Sequence, residues 1–279
     1  MKPLRQFRPF KLIGKETLAE GSEDSFPIRR FTFELPEGTS LQSLGFDLGS
    51  GDFVQVRPPA GRVRSYSPAS PADRTGSFDL VVKIYRGGRC SGHLDSLEVG
   101  DSAMISGPAP VPWLAFTLKQ QKHVGLIAFG VGITEALPVA WSQLLKPIDI
   151  VERVILLWGN KTWMDVFWQE QLQELVQQHA GRFQVVHALS REHREGCVRS
   201  RIDQPLLDTT FQAFPRSAAF LVVGTKQMKK DCLFRSVVAV GRDTALIGSM
   251  RLLVLSVAAN AAEDAVELAL VKKVLLAAA

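Results

Sequence analysis

Two short polar segments, Arg64-Ser65-Tyr66-Ser67 and Gly87-Gly88-Arg89-Cys90-Ser91, interrupt a stretch of sequence that otherwise has the pattern of short β-strands. In Ile28 to Glu34 the residues alternate, with Phe31 and Phe33 expected on one face. Further strands are predicted at Phe53 to Arg57, Phe78 to Tyr85 and Ser102 to Gly107, with one helical turn at Gly92 to Leu97. Short strands at this spacing predict an antiparallel barrel or sandwich for the first part of the chain.

The two polar segments carry groups that suit a ligand with phosphates and an aromatic ring. On a strand, alternate side chains share a face, so Arg64 and Tyr66 are expected on the same side. Arg64 can then pair with a phosphate, Tyr66 can cover a ring, and Ser67 can approach the ring's edge. The glycine pair of the second segment allows close backbone approach, and the amides after it can donate to a second phosphate. A flavin dinucleotide fits both segments, whereas an exposed strand end is the alternative for the first segment alone.

After Lys119 the pattern changes to strands that alternate with helical segments. Such alternation predicts crossover connections on a doubly wound parallel sheet. Predicted strands are Val124 to Phe129, Val154 to Trp158, Phe183 to Leu189, Ala219 to Val223 and Arg251 to Val257; predicted helices are Glu135 to Leu145, Val166 to His179 and the alanine-rich Asn260 to Leu276. Because Pro108, Pro110 and Pro112 indicate a linker, we expect one domain at residues 1–118 and another at 119–279.

Composition narrows the class of protein. The chain has 279 residues, of which 46% are hydrophobic and 22% charged, which is typical of folded domains. A net charge of +5 is too small to indicate nucleic-acid binding. Three cysteines without paired or metal-ligand spacing indicate a reducing compartment, and no apolar run approaches the ~20 residues of a membrane span. We expect a soluble protein without a metal, cytoplasmic by default, with an organelle matrix or stroma also open.

Seen in order, the motifs resemble a known family. The patterns R-x-Y-S at 64–67, G-G-x-C-S-x-x-L at 87–94, L-x-x-G-D at 97–101 and G-P at 107–108 are similar to the flavin domain of the ferredoxin-NADP reductase superfamily, which includes cytochrome b5 reductases. Three later segments resemble that superfamily's nucleotide motifs: Gly130-Val131-Gly132-Ile133-Thr134, Gly159-Asn160-Lys161-Thr162 with Asp165, and Gly224-Thr225-Lys226-x-Met228. The resemblance covers about residues 10 to 240.

The resemblance implies a fold and an activity. The first domain is then a six-stranded antiparallel FAD-binding barrel, and the second binds NADPH or NADH. Hydride passes from nicotinamide to FAD, with Ser67 assisting at the flavin N5, and electrons pass on to a one-electron carrier such as ferredoxin, flavodoxin or a cytochrome. The FAD-binding residues it implies are Arg64, Tyr66, Ser67, Lys83, Gly88, Cys90 and Ser91. Those implied for the pyridine nucleotide are Gly130, Gly132, Thr134, Asn160, Gly224 and Met228.

A basic segment after the third predicted strand of the second domain bears on the choice of nucleotide. Ser190, Arg191, Arg199 and Arg201 resemble the 2'-phosphate site of NADPH-using members, so NADPH is favoured over NADH. The alternative is an ordinary surface loop, in which Glu192 and Glu195 neutralise the arginines.

Three departures from the family pattern concern the nicotinamide side. Glu135 stands where proline is usual after the glycine loop, Val223-Gly224-Thr225 replaces a cysteine-glycine-proline sequence, and the chain given ends in alanines rather than an aromatic residue. They support a second hypothesis, in which the chain is a non-catalytic FAD-binding or structural subunit of a larger complex that retains the reductase fold.

Overall fold

The computed structural model describes residues 4–22, 25–109, 121–215, 218–225, 228 and 251–256. The chain forms two compact units. The first combines the N-terminal strands with Val131–Ser142 and Met164–Trp168, and the second includes Gln143–Trp163 and the chain from Gln169 onward. The predicted boundary between residues 118 and 119 lies in a stretch outside the described residues and remains a prediction.

The first unit contains a six-stranded antiparallel sheet in the order β4-β3-β6-β1-β2-β5. Its strands are β1 (Leu4–Ala19), β2 (Ile28–Glu34), β3 (Phe53–Arg57), β4 (Arg64–Tyr66), β5 (Ser77–Lys83) and β6 (Ser102–Ala109). The segment after β4 pairs with β5, through a bridge between Pro68 and Leu80 and a 2.8 Å hydrogen bond from the Ala69 amide to the Asp79 carbonyl. These contacts link the two ends of the sheet, so the predicted antiparallel barrel is confirmed.

Alternating side chains fill this barrel. In β2, Phe31 and Phe33 are completely buried, while Arg30 and Thr32 beside them are partly exposed. The Phe33 ring lies 5.7 Å from the Phe78 ring, between their centroids, and Phe78 comes from the neighbouring strand β5. The predicted inward face of β2 is therefore correct, since a period of two places every second side chain in the core.

A helix follows the second polar segment. This helix, α1 (Arg89–Ser96), begins three residues before the predicted turn at Gly92 to Leu97. Gly87 has a left-handed backbone (φ +72°), and Gly88 is the N-cap residue. The glycine pair thus turns the chain and starts the helix, so the amides of the second polar segment form the N-terminus of α1.

The second sheet is parallel, in the order β11-β10-β7-β8-β9. Its strands are β7 (His123–Phe129), β8 (Arg153–Asn160), β9 (Phe183–Leu189), β10 (Ala219–Gly224) and β11 (Arg251–Ser256). The helices between them are α2 (Ile133–Leu144), α3 (Gln169–Gln178) and α4 (Gln204–Phe211). Strand order reverses between β7 and β10, which confirms a doubly wound sheet and marks the edge where ligands bind in such folds.

Two helices differ from the sequence prediction. Helix α3 begins at Gln169 rather than Val166, because Val166 and Phe167 are buried and Trp168 has a left-handed backbone (φ 59°) that ends helical geometry. Helix α4 was missed, although Asp203 caps it by accepting a 3.1 Å hydrogen bond from the Leu206 amide. An aspartate followed by Gln204-Pro205 is a readable helix start. The predicted helix at Asn260 to Leu276 lies outside the described residues.

Candidate functional site

The two polar segments of the barrel meet through three side chains. Tyr66, on β4, is half-buried against the barrel core and shares a hydrogen bond with Cys90, in the first turn of α1. Burial raises the pKa of the Tyr66 phenol and of the Cys90 thiol. Arg64 lies close enough to oppose both shifts electrostatically, and its Nη1 donates to the Val63 carbonyl at 3.1 Å. Both groups therefore stay protonated beside a guanidinium.

The turn before α1 has room only for glycine at position 88. The Gly88 amide donates to the Tyr85 carbonyl at 2.9 Å, and the Ser91 hydroxyl accepts from the Tyr85 amide at 3.3 Å. A Cβ atom on Gly88 would lie 3.0 Å from that carbonyl and collide with the Ser91 hydroxyl. The absence of a side chain leaves the helix N-terminus open to an anion, toward which the helix dipole is favourable.

Lys83 and Ser67 occupy different surroundings. The Lys83 ammonium donates to the Ser25 hydroxyl at 3.2 Å and lies 3.8 Å from the Asp165 carboxylate, which also accepts from Ser25. Ser67 lies one residue beyond the end of β4, partly buried, next to the residue that bridges to β5. Ser67 therefore stands where the strand leaves the sheet, as its proposed approach to a ligand requires.

A cavity of about 470 Å³ lies in the first unit. Its lining residues are Glu20, Gly21, Ser22, Ser25, Phe26, Pro27, Ile84, Tyr85 and Arg86. The rings of Phe26 and Tyr85 lie 5.4 Å apart between centroids, with both side chains exposed by more than a third. The sequence prediction missed this aromatic pair. An aromatic residue two positions before the glycine pair was the available signal for Tyr85, whereas nothing in the sequence marked Phe26.

The predicted nucleotide motifs begin at the carboxyl ends of the parallel strands. Gly130 follows β7 with a left-handed backbone (φ 52°), and its carbonyl accepts a 2.8 Å hydrogen bond from the indole of the fully buried Trp158. Gly132 is buried in the same turn, and Thr134 in α2 donates through its hydroxyl to the Val131 carbonyl at 2.9 Å. The backbone at Gly130 is therefore held by a core side chain.

Asn160 ends β8 at the same edge. Its backbone carbonyl accepts from the Ser190 amide at 3.0 Å, which joins the ends of β8 and β9. Its side chain is only 8% exposed, and neither Nδ2 nor Oδ1 has a hydrogen-bond partner among the described residues. Because an unsatisfied buried amide costs about 1–3 kcal/mol, this group indicates a missing polar ligand.

Gly224 is the last residue of β10, and Met228 lies four residues further along the chain. A Cβ atom on Gly224 would lie 2.8 Å from the Phe129 ring, so the glycine allows β7 and β10 to end side by side. The Met228 side chain is 41% exposed, and its amide donates to the Thr225 hydroxyl at 3.3 Å. Val223, at the position of the family's cysteine, is completely buried in the sheet.

The basic segment after β9 is organised around Trp163. Glu192 accepts a 2.7 Å hydrogen bond from the Trp163 amide, and the Arg194 guanidinium lies 4.3 Å from the centre of the Trp163 ring. Arg191 is exposed, and its amide donates to the Lys161 carbonyl at 2.9 Å. The exposed Arg199 and Arg201 have no carboxylate partner in the described part of the chain. The predicted alternative, neutralisation by Glu192 and Glu195, does not hold for these two.

Two models of protein families match this chain, one in its N-terminal half and one in its C-terminal half. A model of the oxidoreductase FAD-binding domain matches residues 15–110, and one of the oxidoreductase NAD-binding domain matches residues 126–233. Across the described ranges, no helix has the length and apolarity needed to cross a membrane. In those ranges there is also no cluster of three or more histidine, cysteine or acidic side chains that could hold a metal ion.

Curated relatives share the sequence and solved structures share the fold. NADH-cytochrome b5 reductase 2 of Aspergillus clavatus is 33% identical over 181 residues, which are 64% of this chain and 54% of the relative. NADH-cytochrome b5 reductase 1 of Dictyostelium discoideum is 33% identical, with coverages of 67% and 61%. The chain thus spans little more than half the length of such relatives.

Among solved structures, the cytochrome b5 reductase domain of Ulva prolifera nitrate reductase superposes with a TM-score of 0.70 at 20% identity, covering 91% of this chain and 98% of that one. A ferredoxin NADP+ reductase from Neisseria gonorrhoeae, with bound FAD and NADP, gives 0.68 at 17% identity, with coverages of 90% and 98%. At these identities the likeness establishes the fold.

Proposed function

Since the chain belongs to the ferredoxin-NADP reductase superfamily, we propose that it is an FAD-dependent oxidoreductase that takes hydride from NADPH or NADH and delivers electrons to a one-electron carrier. The FAD-binding domain comprises residues 1–118 and the NAD(P)-binding domain residues 119–279. The observation that carries the proposal is the meeting of the two polar segments, in which Arg64, Tyr66 and Cys90 converge at the N-terminus of α1.

These residues fit the flavin cofactor by charge and by shape. Bound FAD supplies the redox chemistry, since its ring accepts a hydride and releases electrons singly. Arg64 neutralises the diphosphate, and the amides after Gly88, including that of Ser91, donate to its oxygens at the start of α1. Tyr66 covers the ring as a neutral phenol, because burial keeps the pKa of the phenol raised. Lys83 and Ser67 complete the set, with Ser67 at the flavin N5.

The pyridine nucleotide is proposed to bind at the carboxyl edge of the parallel sheet. The glycine loop from Gly130 to Thr134 receives its diphosphate, and Gly224 and Met228 lie toward the nicotinamide. The Asn160 amide, buried and without a partner, supplies a donor and an acceptor for a ribose or an amide of the ligand. The ligand would then satisfy the polar group that the protein leaves unpaired.

NADPH is the preferred nucleotide in this proposal, although the curated relatives carry NADH in their names. The extra phosphate of NADPH needs cationic partners that are not already neutralised. Arg199 and Arg201 meet this condition among the described residues, and Ser190 and Arg191 lie where the β9 strand ends. Glu192 accepts its hydrogen bond from the Trp163 amide and forms no ion pair with Arg199 or Arg201 among the described residues.

The electron acceptor is proposed to be a carrier protein with an acidic surface, such as a ferredoxin, a flavodoxin or a cytochrome. Arg62, Arg86 and Arg89 on the barrel are exposed, and none forms an ion pair with a described carboxylate. Uncompensated positive charge of this kind steers an acidic partner during encounter. The names of the curated relatives favour a cytochrome b5 among these candidates.

Anaerobic absorbance spectroscopy tests the central proposal. The purified protein should show a flavin spectrum that bleaches on addition of NADPH and, more slowly at equal concentration, of NADH. A bound flavin that neither nucleotide reduces would instead support the rival hypothesis of a non-catalytic FAD-binding or structural subunit.

Substitutions in the basic segment test the preference for NADPH over NADH. The Arg199→Ala/Arg201→Ala double variant should raise the KM for NADPH about tenfold or more and leave that for NADH nearly unchanged, since each lost charged hydrogen bond is worth about 1.5–3 kcal/mol. Arg153→Ala, at the opposite end of β8, is the matched control. Equal effects on both nucleotides would contradict the 2'-phosphate assignment.

A further inference from the structure

Three buried polar groups, Ser25, Lys83 and Asp165, form a cluster that the proposed reaction does not explain. The Asp165 side chain is 3% exposed and the Lys83 side chain 15%, with 3.8 Å between the ammonium nitrogen and a carboxylate oxygen. Ser25 donates to Asp165 and accepts from Lys83 at 3.2 Å. Ser25 also lines the 470 Å³ cavity. The cluster thus reaches that cavity through Ser25 alone, which bonds to both Lys83 and Asp165.

The carboxylate comes from a distant part of the sequence. Asp165 belongs to the segment Met164–Trp168, which follows β8 in the chain but is part of the first unit, together with the barrel strands. Val166 and Phe167 bury their side chains there. Trp168 has φ 59°, which is unfavourable for a large side chain and persists only where the surroundings fix the backbone. The segment is therefore held in one conformation that delivers Asp165 to Lys83.

Burial distinguishes this ion pair from the exposed pair formed by Lys122 and Glu152. In the surface pair Lys122–Glu152, the side chains are 58% and 42% exposed, so water can solvate either charge alone. The Lys83 and Asp165 side chains are little exposed to solvent, and an isolated charge at such a position would be strongly unfavourable. Each member of the pair thus offsets the charge of the other and restrains where it lies.

We propose that Asp165 is a positioning residue, which fixes the Lys83 ammonium through their ion pair and the shared Ser25 hydroxyl. The inference rests on the proposed function in one respect, namely that Lys83 faces the flavin. If so, Asp165→Asn removes a negative charge beside the ammonium, which favours the anionic reduced flavin and raises its midpoint potential. Lys83→Met removes a positive charge and lowers that potential. Removing both charges should return it toward the wild-type value.

Thermal unfolding of the flavin-free protein tests the pair without any reaction. Asp165→Asn and Lys83→Met should each lower the Tm by about 5 °C or more, because each strands a buried charge. The double variant should be more stable than the sum of the two losses predicts. Glu152→Gln, in the exposed pair, is the control and should change the Tm little. Additive losses would overturn the proposal, since they mean that the two charges do not interact.

Redox titration of the FAD-loaded variants tests the positioning role. Midpoint potentials that shift in opposite directions for the two single variants, and recover in the double variant, support it. Potentials that shift in the same direction, or that do not shift, overturn it. A purely structural defect would change the potential without regard to the sign of the charge removed. If the wild-type protein bound no FAD, the proposed function would fail, whereas thermal coupling would still decide whether Asp165 fixes Lys83.

Discussion

In the barrel, the polar groups proposed to bind FAD already bond to one another, whereas three side chains proposed to bind the nucleotide have no polar partner among the described residues. Tyr66 bonds with Cys90, and Ser91 accepts from the Tyr85 amide. By contrast, within those residues the side-chain amide of the buried Asn160 has no hydrogen bond, and Arg199 and Arg201 have no carboxylate beside them.

The difference indicates two modes of binding. Groups that are tied together lose little freedom when a ligand binds, so the barrel site is preorganised for a cofactor that stays bound. Polar groups without a hydrogen bond destabilise the free protein and gain their partners only in the complex. This arrangement suits a ligand that binds and dissociates in each reaction cycle. A substitution at the sheet edge should therefore stabilise the free protein and weaken nucleotide binding. A substitution in the barrel should lower both the stability of the protein and its affinity for FAD.

The largest effect is expected for Gly88→Ala in the barrel. The added methyl group collides with the Ser91 hydroxyl and presses on the Tyr85 carbonyl, so the turn must open. We expect a loss of about 1–3 kcal/mol in the free energy of unfolding and at least about a tenfold weaker FAD affinity. Urea unfolding and flavin fluorescence measure the two quantities.

Gly92→Ala is the matched control for this change. Gly92 lies in the same helix with open space around its Cα, and alanine favours helix. It should retain FAD affinity and gain slightly in stability. If the two alanines weakened FAD binding equally, the close approach at Gly88 would not be the reason for its glycine.

Asn160→Leu should separate stability from affinity at the sheet edge. Leucine has a similar shape and removes the unpaired amide, so the free protein should gain about 1 kcal/mol in unfolding free energy. The KM for NADPH should rise about tenfold, because the ligand loses its hydrogen bonds to the amide. Differential scanning calorimetry and steady-state kinetics give the two values. A destabilised variant with unchanged KM would mean that the amide has a structural partner instead.

Local patterns in the sequence predicted both sheets and the motif loops, because a period of two and glycine turns depend on neighbouring residues. Other features depend on contacts between distant residues. The cluster of Lys83 with Asp165 joins positions 82 apart in the chain, and no local pattern marks such a pair. The true start of α3 likewise depends on Trp168, whose left-handed backbone is set by surrounding packing rather than by its own preference.

The smallest expected effect concerns the pH dependence of stability at the sheet edge. His187 lies in β9 between the rings of Trp158 and Trp163, with a buried Nδ1 that has no partner, and burial lowers the pKa of its imidazole. Below about pH 6.5 the unfolded chain therefore binds a proton that the folded protein resists. Stability contributed by the neutral ring is present above that pH and is lost as the pH falls.

His187→Phe keeps an aromatic ring between the two tryptophans but cannot bind a proton. Its Tm should fall less steeply than that of the wild-type protein between pH 7.5 and 5.5, in buffers of matched ionic strength. The comparison uses the slope of Tm against pH, so a constant offset from the larger ring does not affect it. Parallel slopes would show that His187 gains its proton equally in both states, and that this edge contains one unsatisfied group fewer than the structure indicates.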